Sequence, residues 1–503
     1  MHRFSIALAA CSVAASVPAL AADQASTTLL KQALAAQGGE ALLREVRTVA
    51  FESAGYRNML EQSERPEGPY LVEFHDVSEL HDHARHALRR QLQVRVPPAG
   101  SYTLTTLVAN GMAMQAWGER QMPGSSQDTQ LAAEALALSP ERALLTALDA
   151  QDTHREPDTV LHGVPHQVVA FTLDGARARL YLSHYTHLPS ALDYAGPSAR
   201  TGYAGLGYAA YLGDVVQRTT WGFWRLDKSG LRYPMQWDIQ LNGMPDRTLM
   251  LRSLKVDLPY DPALVTIPDA VATRFDPKRP ARDPATVPLG AKKTEIVPGV
   301  LLIEATWNVT IVDQGDGLVV IEAPFSSAYS AKVLAELDAR YPGKQVKAVV
   351  TTSDSWPHLA GIREYVARGI PVYALDLSEP IVRRTLGTSY SQRPDRLQQT
   401  PLKADLRLVA GRTVLGSGPN RIELYPIRGA AAERQMMAWL PGHRLLYGSD
   451  PFQKDADGYN NPQAVSELLQ AAERERLDVD RFFMMHMPAA PFSELRKVKG
   501  SEG

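Results

Sequence analysis

Groups able to do chemistry concentrate in the stretch Thr351 to Gly361, where Ser353, Asp354, Ser355 and His358 stand around Trp356 and Pro357. A hydroxyl beside an imidazole can make a nucleophile and its base, and Asp354 is the only orienting acid in that loop. A second concentration is His81-Asp82-His83-Ala84-Arg85-His86. On a strand His81 and His83 share a face, and on a loop they could join His75 around a metal. No preorganised fourth ligand accompanies them, so the segment reads as exposed and polar. His184 and His187 read as packing or hydrogen-bonding residues of a hairpin region. The sequence has no G-x-S-x-G elbow and no glycine-rich phosphate loop ahead of a helix.

The flanking elements must position these groups. Val346 to Val350 is an apolar run that reads as a buried strand. Ile362 to Gly369 is helical in pattern and closed by a glycine, and Ile370 to Leu375 is strand-like again. Upstream, Val300 to Glu304, Asn308 to Val312 and Gly317 to Ala323 read as strands, and Ala328 to Tyr341 as an amphipathic helix. Nearer the start, Leu29 to Val46 reads as two short helices broken at Gly38-Gly39. Gln130 to Asp149 reads as helix, restarted at Ser139-Pro140-Glu141. From about Val160 to Leu258 strands alternate with turns such as Asp174-Gly175 and Asn242-Gly243. That pattern predicts a curved antiparallel sheet or an open barrel.

The chain has 503 residues, too many for one ordinary domain. A net charge of −2 gives no reason to expect a nucleic-acid partner. Residues 1–22 read as a secretory signal: Arg3, an apolar run from Phe4 to Val17, then Ala19-Leu20-Ala21. The expectation is an exported, periplasmic or secreted protein without a transmembrane segment. The one cysteine, Cys11, lies in that signal within a partial lipoprotein-type box, Leu8-Ala9-Ala10-Cys11. Its neighbours make lipidation the lesser expectation, and the rest of the chain has no thiolate ligand. Pro277, Pro280, Pro284 and Pro288 mark a linker at 276–288. The division expected is signal 1–22, β-rich domain 23–275, linker 276–288, second domain 289–495 and tail 496–503.

The strand, polar loop, helix, strand order around His358 resembles the metal-binding loop of the metallo-β-lactamase superfamily, which reads Thr-His-x-His-x-Asp-His-x-Gly-Gly. Aligned on Gly361, Ser353 and Ser355 replace two histidines, Pro357 replaces the aspartate, and His358 remains. Aligned on Pro441, Ala431 stands at a third histidine. Leu445 to Asp450 is similar to the segment carrying the bridging aspartate, and Phe482 to His486 to the one carrying the last histidine. The resemblance implies an αββα sandwich over Leu289 to Leu495 that retains His358, Asp450 and His486 as ligands. Two imidazoles and a carboxylate suit one catalytic zinc or iron ion, while a dinuclear centre lacks its donors. Asp450 and His358 would then be the catalytic residues, and Asp354 or Glu433 could substitute as ligands. The half of the chain before the linker resembles the half-barrels of LolA/LolB-type lipoprotein carriers in pattern. The fold class expected is therefore α+β: an antiparallel half-barrel-like domain plus the sandwich. The function implied is a metallo-hydrolase-like protein with at most one metal ion, zinc or iron, or none, acting on an ester, amide or phosphoryl substrate. The alternative is a non-catalytic periplasmic protein that binds a small apolar or lipid-like ligand.

Overall fold

The computed structural model describes residues 23–60, 67–96, 100–196, 212–280, 283–456 and 458–498. The expected signal and Cys11 lie outside the described residues.

The first half is one antiparallel sheet of thirteen strands among the described residues, from Thr48–Asn58 to Met244–Val256. It is two meanders joined where that first strand pairs with that last one, Val49 opposite Val256. Arg120–Pro123 and His154–Leu161 are its edges, so the sheet is open and does not close into a barrel. The turns are those the sequence signals: Asp174 and Asn242 take positive φ beside Gly175 and Gly243, as tight hairpins need. Helix Gln24–Gln37 begins at Asp23, whose side chain accepts the Ser26 N–H, and ends at Gly38. Its Leu30, Ala33 and Leu34 join Leu144 and Leu145 of helix Ala143–Asp149 against Val169, Phe171, Leu180 and Trp221 of the sheet. At roughly 1.5–3 kcal/mol for each large side chain buried, this packing fixes which face of the sheet is internal.

The second half has two sheets. One has seven strands, from Lys293–Val297 to Leu406–Val409, and the other six, from Thr413–Leu415 to Met487–Pro491. Strands such as Val300–Ile303 and Leu318–Ile321 are buried at every position, so both faces are covered. Val320 and Val349 of one sheet share a core with Leu424, Ala438 and Phe483 of the other. Helices Ser327–Arg340 and Ile362–Ala367 feed the same core from outside. Helix Pro462–Arg474 covers the far face of the six-stranded sheet through Val465, Leu468 and Ala472. The layers run helix, sheet, sheet, helix.

The two halves touch. Leu60, Leu212, Val215 and Leu241 of the first enter the core of the second. Asp214 accepts Ser389 Oγ at 2.7 Å and the Ser391 N–H at 2.7 Å. In the segment joining the halves, Arg279 donates to Pro123 O at 3.2 Å, and Val287 O accepts Lys332 Nζ at 2.7 Å.

Candidate functional site

Two parallel strand pairs bring the candidate residues to one end of the sandwich. Leu318–Ile321 runs parallel to Val346–Thr351, so Glu322 emerges beside Thr352. Leu445–Tyr447 runs parallel to Arg481–Met484, so Ser449 and Asp450 emerge beside Met485 and His486. Glu322 and Ser449 turn out of their strands with φ of +77° and +64°, a region that costs a non-glycine residue about 1 kcal/mol or more. The loop from Thr352 then crosses to the six-stranded sheet: Met436 N–H donates to Thr352 O at 2.9 Å, and Ser353 bridges to Gln435.

His358 sits on the helical turn Trp356–Leu359, with Pro357 in its first turn, where a missing N–H is harmless. Trp356 packs edge-on against Trp307, ring centres 4.9 Å apart, which fixes the turn. Gly361 follows because a Cβ there would lie 2.1 Å from Ser330 Oγ. His358 Nδ1 lies 2.9 Å from Glu322 Oε2. Glu322 Oε1 accepts the Thr352 hydroxyl and, at 3.0 Å, the Tyr447 hydroxyl. Thr352 Oγ1 is 2.8 Å from Ser449 Oγ. Burial disfavours the charged form of His358, but Glu322 outweighs it, Asp450 and Asp354 add to the effect, and the pKa is raised. Burial pushes the Tyr447 phenol well above its usual value, so it donates as a neutral group.

Asp450 Oδ2 lies 3.2 Å from His486 Nε2, and both side chains are partly exposed. The Asp450 N–H donates to Gln435 Oε1 at 3.1 Å, while Asp450 Oδ1 is buried without a hydrogen-bond partner. Asp354 is fully buried. Its Oδ2 accepts Arg434 Nε at 2.6 Å and its Oδ1 has no partner. Burial raises the Asp354 carboxyl against the pull of Arg434, to about 6. Arg434 also donates to Leu377 O at 2.8 Å and lies 3.8 Å from Glu67, which reaches over from the first half of the chain.

The structure thus joins Asp450 to His486 and places His358 on Glu322. Among the described residues, one group of three histidine or acidic side chains has its ligand atoms all within 4.8 Å of one another: His81, His83 and Glu141. His358, Asp450 and His486 are not gathered to that degree; His358 Nδ1 faces Glu322. Asp354 is committed to Arg434 and Glu433 is half-buried. The positions expected to align with the family's histidines, Ser353, Ser355 and Ala431, offer no imidazole. Ala431 packs among Ile427, Val465 and Leu468, and its N–H donates to Glu467. Ser353 Oγ accepts the Ser355 N–H at 3.2 Å, and His358 Nδ1 faces neither serine.

The expectation that His81 to His83 is exposed is wrong: His81 and Asp82 are each 1% exposed. They end a strand whose odd-numbered side chains Glu73, His75, Glu79 and His81 are all buried. Sequence reading also missed Glu322 and Glu141. An acid closing the apolar run Leu318 to Ile321 was a usable signal for the first, and Glu141 carried none.

No family model matches the sequence, and no curated protein matches it. Among solved structures, a metallo-β-lactamase from Pontibacter korlensis matches with 16% identity over 42% of this chain and 99% of its own, at a TM-score of 0.33. The mono-zinc form of the FIM-1 metallo-β-lactamase from Pseudomonas aeruginosa matches with 16% identity over 43% and 96%, at 0.33. The inverting sec-alkylsulfatase Pisa1 from Pseudomonas sp. matches with 14% identity over 41% and 40%, at 0.32.

Proposed function

We propose that this chain is an exported hydrolase of the metallo-β-lactamase type whose sandwich holds one metal ion at His358, Asp450 and His486. The observation that carries the reading is the pairing of both imidazoles with carboxylates at one edge of the sandwich. Asp450 and His486 stand at the spacing of two ligands on one ion, and Asp450 Oδ1 is buried with no partner. A carboxylate on the far nitrogen of His358 is the partner a metal-bound imidazole takes. The donor set fits one ion and not two, since Ser353, Ser355 and Ala431 supply nothing for a second.

A bound zinc ion would supply an acidified water and a Lewis acid for an ester, amide or phosphoryl oxygen. Glu322 holds the ring of His358, and Thr352 and Tyr447 hold Glu322. Gln435 orients Asp450 through its backbone N–H. Glu67 and Arg434 stand at Asp354, so the first half of the chain contributes to the wall beside the site. The substrate in this reading is a small or lipid-like molecule.

The test is hydrolysis of a panel of carboxyl, thio-, phosphate and sulfate esters by the zinc-loaded full chain. Activity that falls at least about 100-fold in His486→Ala supports the reading. A fully loaded chain inert on all classes sinks it, and leaves the binding-protein alternative. That alternative has one observation of its own. A cleft of about 270 Å³ on the first sheet is lined by Leu161, Val164, Leu188, Trp221 and Trp224 alongside polar residues such as His166, Ser183 and Thr220, and its mostly apolar wall could take an acyl chain. Quenching of tryptophan fluorescence by a brominated fatty acid would report its use.

A further inference from the structure

A second histidine–carboxylate centre lies in the thirteen-stranded sheet, outside the sandwich. His81 is the last residue but one of the strand Val72–Asp82, opposite Val49 and Leu88 of its neighbours. His83 follows in the turn, and Glu141 comes from the segment ahead of helix Ala143–Asp149. His81 Nδ1 lies 2.7 Å from Glu141 Oε1, and His83 Nε2 lies 3.0 Å from the same oxygen. Two imidazoles from one strand end thus aim at a single point shared with a carboxylate.

The surroundings are arranged to hold those three groups. The far nitrogen of His81 lies 2.8 Å from Glu79 Oε1, and Arg90 donates to that oxygen at 3.1 Å. The other oxygen of Glu141 accepts the Tyr233 hydroxyl at 3.1 Å. Phe51 stands edge-on to the His81 ring, centres 5.7 Å apart, and closes the apolar side. Asp82 faces away, to Arg85 and Tyr260. Glu141 is fully buried, and only His83 of the three reaches partial exposure, which leaves one side for a water.

We propose that His81, His83 and Glu141 form a mononuclear site for a borderline divalent cation, zinc or one of like chemistry. Two histidines and a glutamate with one open position is a donor set zinc takes. Nitrogen and carboxylate donors without thiolate favour zinc, cobalt or nickel over calcium or magnesium. Glu79, held by Arg90, is the outer carboxylate that sets the His81 ring with Nδ1 toward the ion, and Tyr233 does the same for Glu141. Binding displaces the proton that His81 Nδ1 shares with Glu141 and lets His83 carry its own proton on Nδ1.

The probe is cobalt(II), titrated into the metal-stripped full chain and followed by visible absorption. His358→Ala/His486→Ala removes the sandwich ligands and leaves this site intact. That variant is expected to take up one equivalent. Adding His83→Ala or Glu141→Gln to it is expected to weaken uptake at least about 100-fold. Circular dichroism confirms that the added substitution leaves the chain folded, and His83 is chosen because it is the least buried member. A His358→Ala/His486→Ala chain that binds no cobalt overturns the proposal without touching the reading of the sandwich. Uptake unchanged by both added substitutions overturns it as well.

Discussion

The two histidine–carboxylate centres use the same side chains and differ in what is left over. At His81 every oxygen of Glu141 and both ring nitrogens have partners, and the group is buried except at His83. At His486 the pair with Asp450 is partly exposed, and Asp450 Oδ1 and Asp354 Oδ1 are buried with none. The backbone differs in the same sense. Glu322 and Ser449 hold left-handed conformations at the sandwich centre, whereas His81 and Glu141 are absent from the positive-φ residues. A closed network contributes to stability whether or not an ion binds. An open one with strained supports contributes less to folding.

The sharpest way to break this contrast is to remove one carboxylate from each centre. Glu141→Ala leaves His81 buried beside Glu79 with its other nitrogen bare and His83 and Tyr233 without their acceptor. The expected loss is about 3–5 kcal/mol in urea unfolding. Asp450→Ala takes a partner from a partly exposed pair and is expected to cost about 1 kcal/mol or less. Equal losses would mean that the two centres do not differ in kind.

The same contrast explains what the sequence revealed. Apolar runs bounded by turn residues located Val300–Ile303, Leu318–Ile321 and Leu445–Tyr447, because buried strands need such runs and their ends must be polar. Asp450 follows the run Leu445–Tyr447 and His486 follows Arg481–Met484, so their place at one edge of the sandwich follows from these runs, while the ligand roles expected of them come from the family resemblance alone. The partnership of His81 with Glu141 spans 60 positions and depends on how a helix lands on a sheet. Alternating Glu73, His75, Glu79 and His81 look like a solvent face, since charged residues are seldom buried. Here Arg57 and Arg90 supply the opposite charge, and the face turns inward. His358 was legible by its place in the loop, but its capture by Glu322 was not, because that contact is set by the crossing of two strands.

Glu322→Gln sharpens the role of that contact. The amide keeps the size of the side chain and can still accept from Tyr447. It removes the negative charge that fixes His358 Nδ1. Zinc affinity at the sandwich is expected to fall about 10- to 100-fold, as for other outer-shell carboxylates. The His81 centre serves as the internal control, with its affinity unchanged. Competition with a chromophoric chelator measures both. An unaltered sandwich affinity would show that His358 is not a ligand and that Glu322 only packs.

The last effect is expected at Asp354, and its sign tests how the sandwich centre treats charge. In the folded chain the carboxyl is raised to about 6 from an ordinary 3.8. Burial is the larger cause, and Arg434 offsets only part of it. Between these values the folded state holds a proton that the unfolded chain has released. Stability from this group is therefore fully present below about 3.8 and is lost as pH rises through about 6. The slope cannot exceed about 1.4 kcal/mol per pH unit for one proton. Asp354→Asn has no such titration and keeps a neutral acceptor for Arg434. Unfolding free energies of wild type and variant, measured in urea from pH 4 to pH 7, should therefore differ by an amount that moves against the wild type up to about pH 6 and then levels. A difference moving toward the wild type over that range would mean that Arg434 dominates Asp354. The sandwich centre would then hold its charges as tightly as the His81 centre does.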